Sequence, residues 1–152
     1  MENTDDIISG SSLFSRLKGE DRKRLAAAAQ RKRMSAGTIL CREGEPGDAI
    51  FIVMQGSLSI LAKNDDGEDE ELTRLQNGAV VGEISVVTGS PRTATVKVAS
   101  DSWVMRIPGE VVMEVLTEHP AILADLRRLG LARSEDTLHR ILTEDAPIDA
   151  DD

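Results

Sequence analysis

Cysteine, histidine, aromatic side chains and long apolar runs are all scarce in this 152-residue chain. Cys41 is the only cysteine, so an intramolecular disulfide is excluded, as is a zinc site built on several thiolates. A single thiol fits a reducing compartment, and the expected location is cytoplasmic. His119 and His139 are the only histidines, and both fall on or beside helical segments. A metal cluster of the His-x-His kind on strands is therefore not expected, and no metal ligands are assigned. Ser/His/Asp, Cys/His and P-loop constellations are missing too, so no catalytic residue is assigned and the chain is not expected to be an enzyme. Phe14, Phe51 and Trp103 are the only aromatic residues, which leaves the core to aliphatic side chains. No apolar run approaches the roughly 20 residues that span a bilayer. The acidic start, Met1 to Asp6, has neither the basic flank nor the apolar stretch of a signal peptide.

What is present reads as one domain of ordinary globular composition, with 40% hydrophobic residues and a mean hydropathy of −0.21. The net charge of −9 argues against bulk affinity for nucleic acid. It is unevenly spread. Residues 1–6 carry three acids, residues 65–71 six and residues 144–152 five, with no Lys or Arg among them. Outside those runs, 18 bases face 13 acids. The acidic runs read as solvated segments or, alternatively, as a docking tail.

Along the chain, residues 1–10 read as a disordered lead. Residues 11–35 read as N-terminal helices, helical to Arg33 with a break at Gly19, and Asp21 is placed to cap the second helix. From Ala36 the apolar period changes from 3.6 to 2. Short strands are expected at 38–42, 49–54, 57–62, 71–75, 93–99 and 103–107, with turns at Gly44–Asp48, Gln55–Gly56, Asn64–Asp69 and Asn77–Gly78. Pro108 suits the first turn of a helix running to about Glu118, and Pro120 opens another that could reach Leu142. Residues 143–152 form an acidic tail. Close-set strands flanked by helices predict an α+β fold, with a β sandwich or barrel at 36–107 and helices at 108–142.

One segment carries specific chemistry. Val81 to Val96 is longer than the two to five residues a hairpin needs. Gly82 permits close backbone approach. Glu83 to Val87 could make a single helical turn whose free N–H groups, with Ser85 among them, form an anion cradle. Arg92, beside Pro91, can offer a planar fork to a phosphate, and Thr93 can add a hydroxyl. Glu83 suits a sugar hydroxyl. Together these describe a site for a phosphorylated sugar; alone, Glu83 and Arg92 could also be a surface ion pair.

The run Gly82-Glu83-Ile84-Ser85, then Pro91-Arg92-Thr93-Ala94-Thr95, strongly resembles the phosphate-binding cassette of cyclic nucleotide-binding domains. The likeness extends over about Leu13 to Leu142, through glycines at 37, 44, 47, 56 and 78. Val81 departs from the phenylalanine frequent in the family, which touches the packing behind the cassette. The resemblance implies an eight-stranded antiparallel jelly-roll barrel between N-terminal helices and a C-terminal two-helix lid. It implies that the cyclic phosphate is held by backbone N–H groups at Ile84 and Ser85 and by Arg92, with Gly82 packed nearby. Glu83 would take the ribose 2′-hydroxyl, Ile84 would relay occupancy, and Leu75 would line the base pocket. Thr93 is compatible with cAMP or cGMP. Among channel-type domains, which the chain resembles most, an arginine on the last helix faces the base. Arg133 has the matching spacing, and Arg127 and Arg128 are lesser candidates. A bend at Gly130 would let the distal half of that helix close over the base.

The expected function is a cytoplasmic receptor for a cyclic purine nucleotide, leaning to cAMP by analogy, that signals to an effector protein. No other cofactor is expected. DNA binding is not expected, since the few residues after Leu142 are acidic and no helix-turn-helix follows. Oligomeric state is left open. The alternative is an interaction module with a vestigial pocket.

Overall fold

The computed structural model describes residue 14 and residues 16–128. The expectations for the lead, for Gly130, Arg133 and His139, for the helix beyond 128 and for the acidic tail lie outside these residues. The elements are α1 (Gly19–Ala28), β1 (Gln30–Met34), β2 (Ile39–Cys41), β3 (Ala49–Lys63), β4 (Asp69–Leu75), β5 (Val80–Val81), α2 (Glu83–Thr88), β6 (Thr95–Pro108) and α3 (Gly109–Thr117). Residues 120–128 are helical as well.

All strand pairings are antiparallel, and two long strands organise them. The first part of β3 (49–55) pairs with the end of β6, which also carries β1, while β5 lies beside Phe51 and Ile52. The second part of β3 (57–63) pairs with β4 and with the start of β6, which also carries β2. Register shifts between Val53 and Leu58 mark where β3 passes from one layer to the other. This differs from the eight separate strands expected. Gln55–Gly56 is a bulge within β3 and not a turn, and the strands expected at 93–99 and 103–107 merge into β6, which begins at Thr95. The described residues therefore hold six strands, two of them serving both layers. A bulge lets a strand bend without leaving the ladder, and composition alone does not separate it from a tight turn.

The N-terminal helix is also shorter than expected. It ends at Ala28, and Gln30–Met34 is a strand in register with Ser102–Arg106 of β6. Gln, Arg, Lys and Met all favour helix locally, but pairing against β6 overrides that weak preference. Asp21 does not cap the helix. Lys18 holds that position without a side-chain bond, and Asp21 lies buried in the first turn, where its Oδ2 is 2.8 Å from His119 Nε2.

Two apolar cores result. One, between the two strand layers, holds Cys41, Phe51, Val53, Leu58, Val81 and Val104. The other lies on the outer face of the β1–β6–β3 layer. There Ile50, Ile52, Met105 and Ile107 pack against Phe14, Leu17 and Leu25, and against Val112, Leu116 and Leu123. The core is aliphatic, as the composition implies.

Candidate functional site

The segment between β5 and β6 folds as expected of an excursion: one short helix, α2, then an irregular run with bends at Thr93 and Ala94. Gly82 precedes α2 with φ at +88°, where a side chain is strained, and a Cβ there would lie 2.3 Å from Arg92 Nη1. Gly47 is required for space alone, since a Cβ on it would stand 2.2 Å from Ser85 Cβ. The 44–48 turn thus lies directly against the cassette. The backbone ties the two together, with Arg92 N–H donating to Glu45 O (2.7 Å) and Gly44 N–H to Arg92 O (2.9 Å).

Arg92 is the unusual residue. Its side chain is 3% exposed, so it is no surface ion pair with Glu83. Nη1 donates to Gly82 O (2.9 Å) and Nη2 to Ala49 O (2.8 Å). The nearest carboxylate with which it forms an ion pair is that of Asp48, at 3.7 Å; that group is largely exposed and also lies 3.8 Å from Arg106. The buried Nε has no partner. A buried guanidinium held by two carbonyls and one distant, solvated carboxylate is under-compensated, because desolvation of a charge is costly unless it is closely paired. An anion arriving beside it would complete the pairing.

Arg92 lines a cleft of about 190 Å³ that also has Gly82, Glu83, Ile84, Ser85, Thr93 and Leu75 in its wall. The described residues assigned from the sequence to the phosphate, ribose and base thus border one cavity, apart from the lesser candidates Arg127 and Arg128. The rest of the wall is mainly apolar: Cys41, Ile60, Leu72, Val80, Val81, Ala94 and Val96, with Thr73 adding a hydroxyl. This is a concave, largely apolar site with a few converging polar groups, the usual form for small organic ligands. Burial pushes the Cys41 thiol up and outweighs the opposing pull of Arg92, so it stays protonated at neutral pH. Cys41, Ile60, Leu72 and Thr73 were not read from the sequence as site residues. Period-2 alternation was the available signal, but the register shift at Ile60/Leu61 breaks it there. Val81, where the family often has phenylalanine, is buried in the inner core and borders the cleft.

The lesser candidates do not reach the cleft. Arg127 Nε donates to Val87 O at the end of α2 (2.7 Å), and Arg128 pairs with Asp125. His119 lies just before the 120–128 helix and is bonded to Asp21. Among the described residues no cluster of His, Cys, Asp and Glu could hold a metal ion, and no helix is long and apolar enough to cross a membrane.

The fold and cleft define a small-ligand module on a β scaffold, with an arginine set for an anion. Residues 31–119, more than half of the chain, match the cyclic nucleotide-binding domain family, and the chain belongs to that family. It is 30% identical over 111 residues to a lysophospholipase of Aspergillus terreus, covering 73% of this chain but 7% of that protein. It is 28% identical over 127 residues to a cyclic nucleotide-gated potassium channel of Mesorhizobium japonicum, covering 84% of this chain and 34% of the channel. Among solved structures, the regulatory domain of Toxoplasma gondii PKA with cAMP superposes with a TM-score of 0.71. It is 28% identical, and the match covers 74% of this chain and 43% of that one. The chain therefore spans a minor part of these relatives, and the matched part is a ligand-binding regulatory module.

Proposed function

We propose that this chain is a receptor for a cyclic purine nucleotide, with cAMP preferred to cGMP, and that it reports occupancy to an effector protein. In this reading the cyclic phosphate sits against Arg92 and the backbone N–H groups of Ile84 and Ser85. Glu83 accepts from the ribose 2′-hydroxyl, and Leu75 with its apolar neighbours receives the base. Thr93 stands beside the phosphate position. The preference for cAMP rests on the likeness to the Toxoplasma domain solved with it.

The observation that carries the reading is the buried, under-compensated guanidinium of Arg92 in the wall of an otherwise apolar cleft. Signalling follows from where the cassette packs. Val86 and Val87 of α2 belong to the outer core together with Leu123, so α2 cannot shift without disturbing the seat of the 120–128 helix. A ligand that binds one arrangement of α2 better than another biases that helix by the same free energy.

Calorimetric titration with cAMP and, separately, cGMP tests the proposal. Arg92→Ala removes a charge-assisted phosphate contact, so binding should weaken by about 30- to 150-fold, or about 2–3 kcal/mol. Arg92 also holds two backbone carbonyls, so Glu83→Gln serves as a second variant that leaves those bonds intact. It should weaken binding less, and a 2′-deoxy nucleotide should lose affinity against the parent chain but not against this variant. No heat with either nucleotide, from protein shown to carry no co-purified ligand, would overturn the proposal in favour of an interaction module with an unused pocket.

A further inference from the structure

The strand β1 has no part in the nucleotide cleft. In the order β1-β6-β3-β4 it stands at an edge of the sheet, with a neighbour on one side only among the described residues. Gln30, Arg31, Lys32 and Arg33 are all exposed, which sets three consecutive cations along that edge in a chain of net charge −9. The side chains of Lys32 and Arg33 make no hydrogen bond or ion pair with any described residue.

Beside this edge lies a second cavity, of about 190 Å³, lined by Arg33, Gln55, Asp101, Ser102 and Trp103. Its geometry follows from register. Arg33 is opposite Trp103, and Trp103 is opposite Gln55, so the three form one row across β1, β6 and β3 on the same face of the sheet. The only tryptophan of the chain is thus half-buried on a sheet surface between a guanidinium and an amide, while Phe14 and Phe51 lie in the two cores. None of these residues borders the nucleotide cleft.

An edge strand offers unpaired backbone donors and acceptors to any extended chain that fits. Cations on the edge oppose pairing with a second copy of β1, since like charges would stand opposite each other. The same cations favour an acidic strand. Arg and Trp side by side are the residues that most often carry the energy of protein interfaces. We infer that the β1 edge and the Trp103 cavity receive an acidic, extended polypeptide segment as an additional strand. Alternate residues of that segment face opposite sides of the sheet, so its carboxylates would lie on the Lys32 face, and an apolar side chain would pass over the stem of Arg33 to enter beside Trp103. A polyanion such as DNA would meet the same cations but could not use the strand edge, and the overall negative charge opposes it.

The test uses the full chain and a fluorescent peptide of about eight residues that alternates glutamate and valine, near the usual strand length. Anisotropy should report salt-sensitive binding, and Trp103 emission should change with it. The exposed pair Lys32→Glu with Arg33→Glu should weaken binding by at least about tenfold. The same peptide with alternate amides N-methylated keeps its charge but cannot pair as a strand, and should bind at least about tenfold more weakly. Equal binding of the methylated peptide would overturn strand pairing, and equal binding by the charge-reversed chain would overturn the site. Tighter binding of a DNA oligonucleotide, lost in the same variant, would replace the inference with a nucleic-acid surface. Nucleotide titration of the charge-reversed chain should be unchanged, which keeps this result separate from the nucleotide cleft.

Discussion

The two apolar cores of this protein differ in what builds them. The inner core, between the strand layers, draws its buried side chains from strands alone, among them Phe51, Val53, Leu58, Val98 and Val104. The outer core draws on strands, on α1, on the cassette helix α2, on α3 and on the 120–128 helix. Strands in a ladder are held by backbone bonds as well as by packing. Helices on a sheet are held mainly by side chains, so they can shift together. The cassette touches both cores: Val81 leads into it from the inner one, while Val86 and Val87 lie in the outer one. The difference is one of support: the strand core lines the cleft, while the helical core shares Val86 and Val87 with the cassette, and under the proposed function it is this second core that would follow the ligand.

Cutting into each core in turn sharpens that difference. The largest effect is expected in the inner core. Leu58 is fully buried, and Leu58→Ala should cost about 2–5 kcal/mol of stability, read as a lower urea midpoint with an unchanged slope. Leu123 in the outer core is 7% exposed and can relax toward solvent. Leu123→Ala should cost less, about 2 kcal/mol, and should also change nucleotide affinity, because it loosens the seat of α2. If calorimetry finds affinity unchanged, the outer core is a support and not a transmitter.

A smaller effect is expected where α1 meets the segment before the last helix. His119 and Asp21 are joined at 2.8 Å, and Arg24 bridges from there to Glu118 at 2.9 Å. His119→Ala leaves the buried Asp21 carboxylate, among the described residues, with Arg24 alone, 3.9 Å away, and should lower stability by about 1–2 kcal/mol in a thermal melt. The smallest effect concerns Asp125. Hydrogen bonds from Arg16 and then Arg128 hold its carboxyl below the usual carboxylate range. A depressed folded-state value means that its contribution is present above about pH 4 and is lost as pH falls through the folded value. The group is exposed and the effect is screened, so Asp125→Asn should flatten the acid limb of the stability profile slightly, more visibly at low salt than at high.

Much of the site was legible before the fold was known. The run from Gly82 to Thr95 is local, so its glycine, short helix, proline and arginine keep their order and spacing whatever surrounds them. Thr93 and Leu75 were legible for the same reason, one being next to Arg92 and the other on the strand before the cassette. The opposite wall was not legible. Cys41, Ile60 and Leu72 come from three strands, and which face each presents depends on bulges that composition does not announce. β1 was read as helix because five residues of neutral or helix-favouring type cannot declare that β6 lies beside them. Trp103 with Arg33 and Gln55 was invisible for the same reason, since only strand register makes them neighbours.

By itself the sequence determined an aliphatic core, the alternation that makes strands between Ala36 and Ile107, and a cassette whose residue types suit a phosphorylated sugar. These follow from local chemistry and from spacings of a few residues. Tertiary structure alone decided that Arg92 is buried with an unpartnered Nε, that β3 and β6 each serve two layers, and that the cassette helix is shared with the outer core. The physical reason is common to all three. Burial and register are set by contacts between residues tens of positions apart, and no single stretch of chain carries that information.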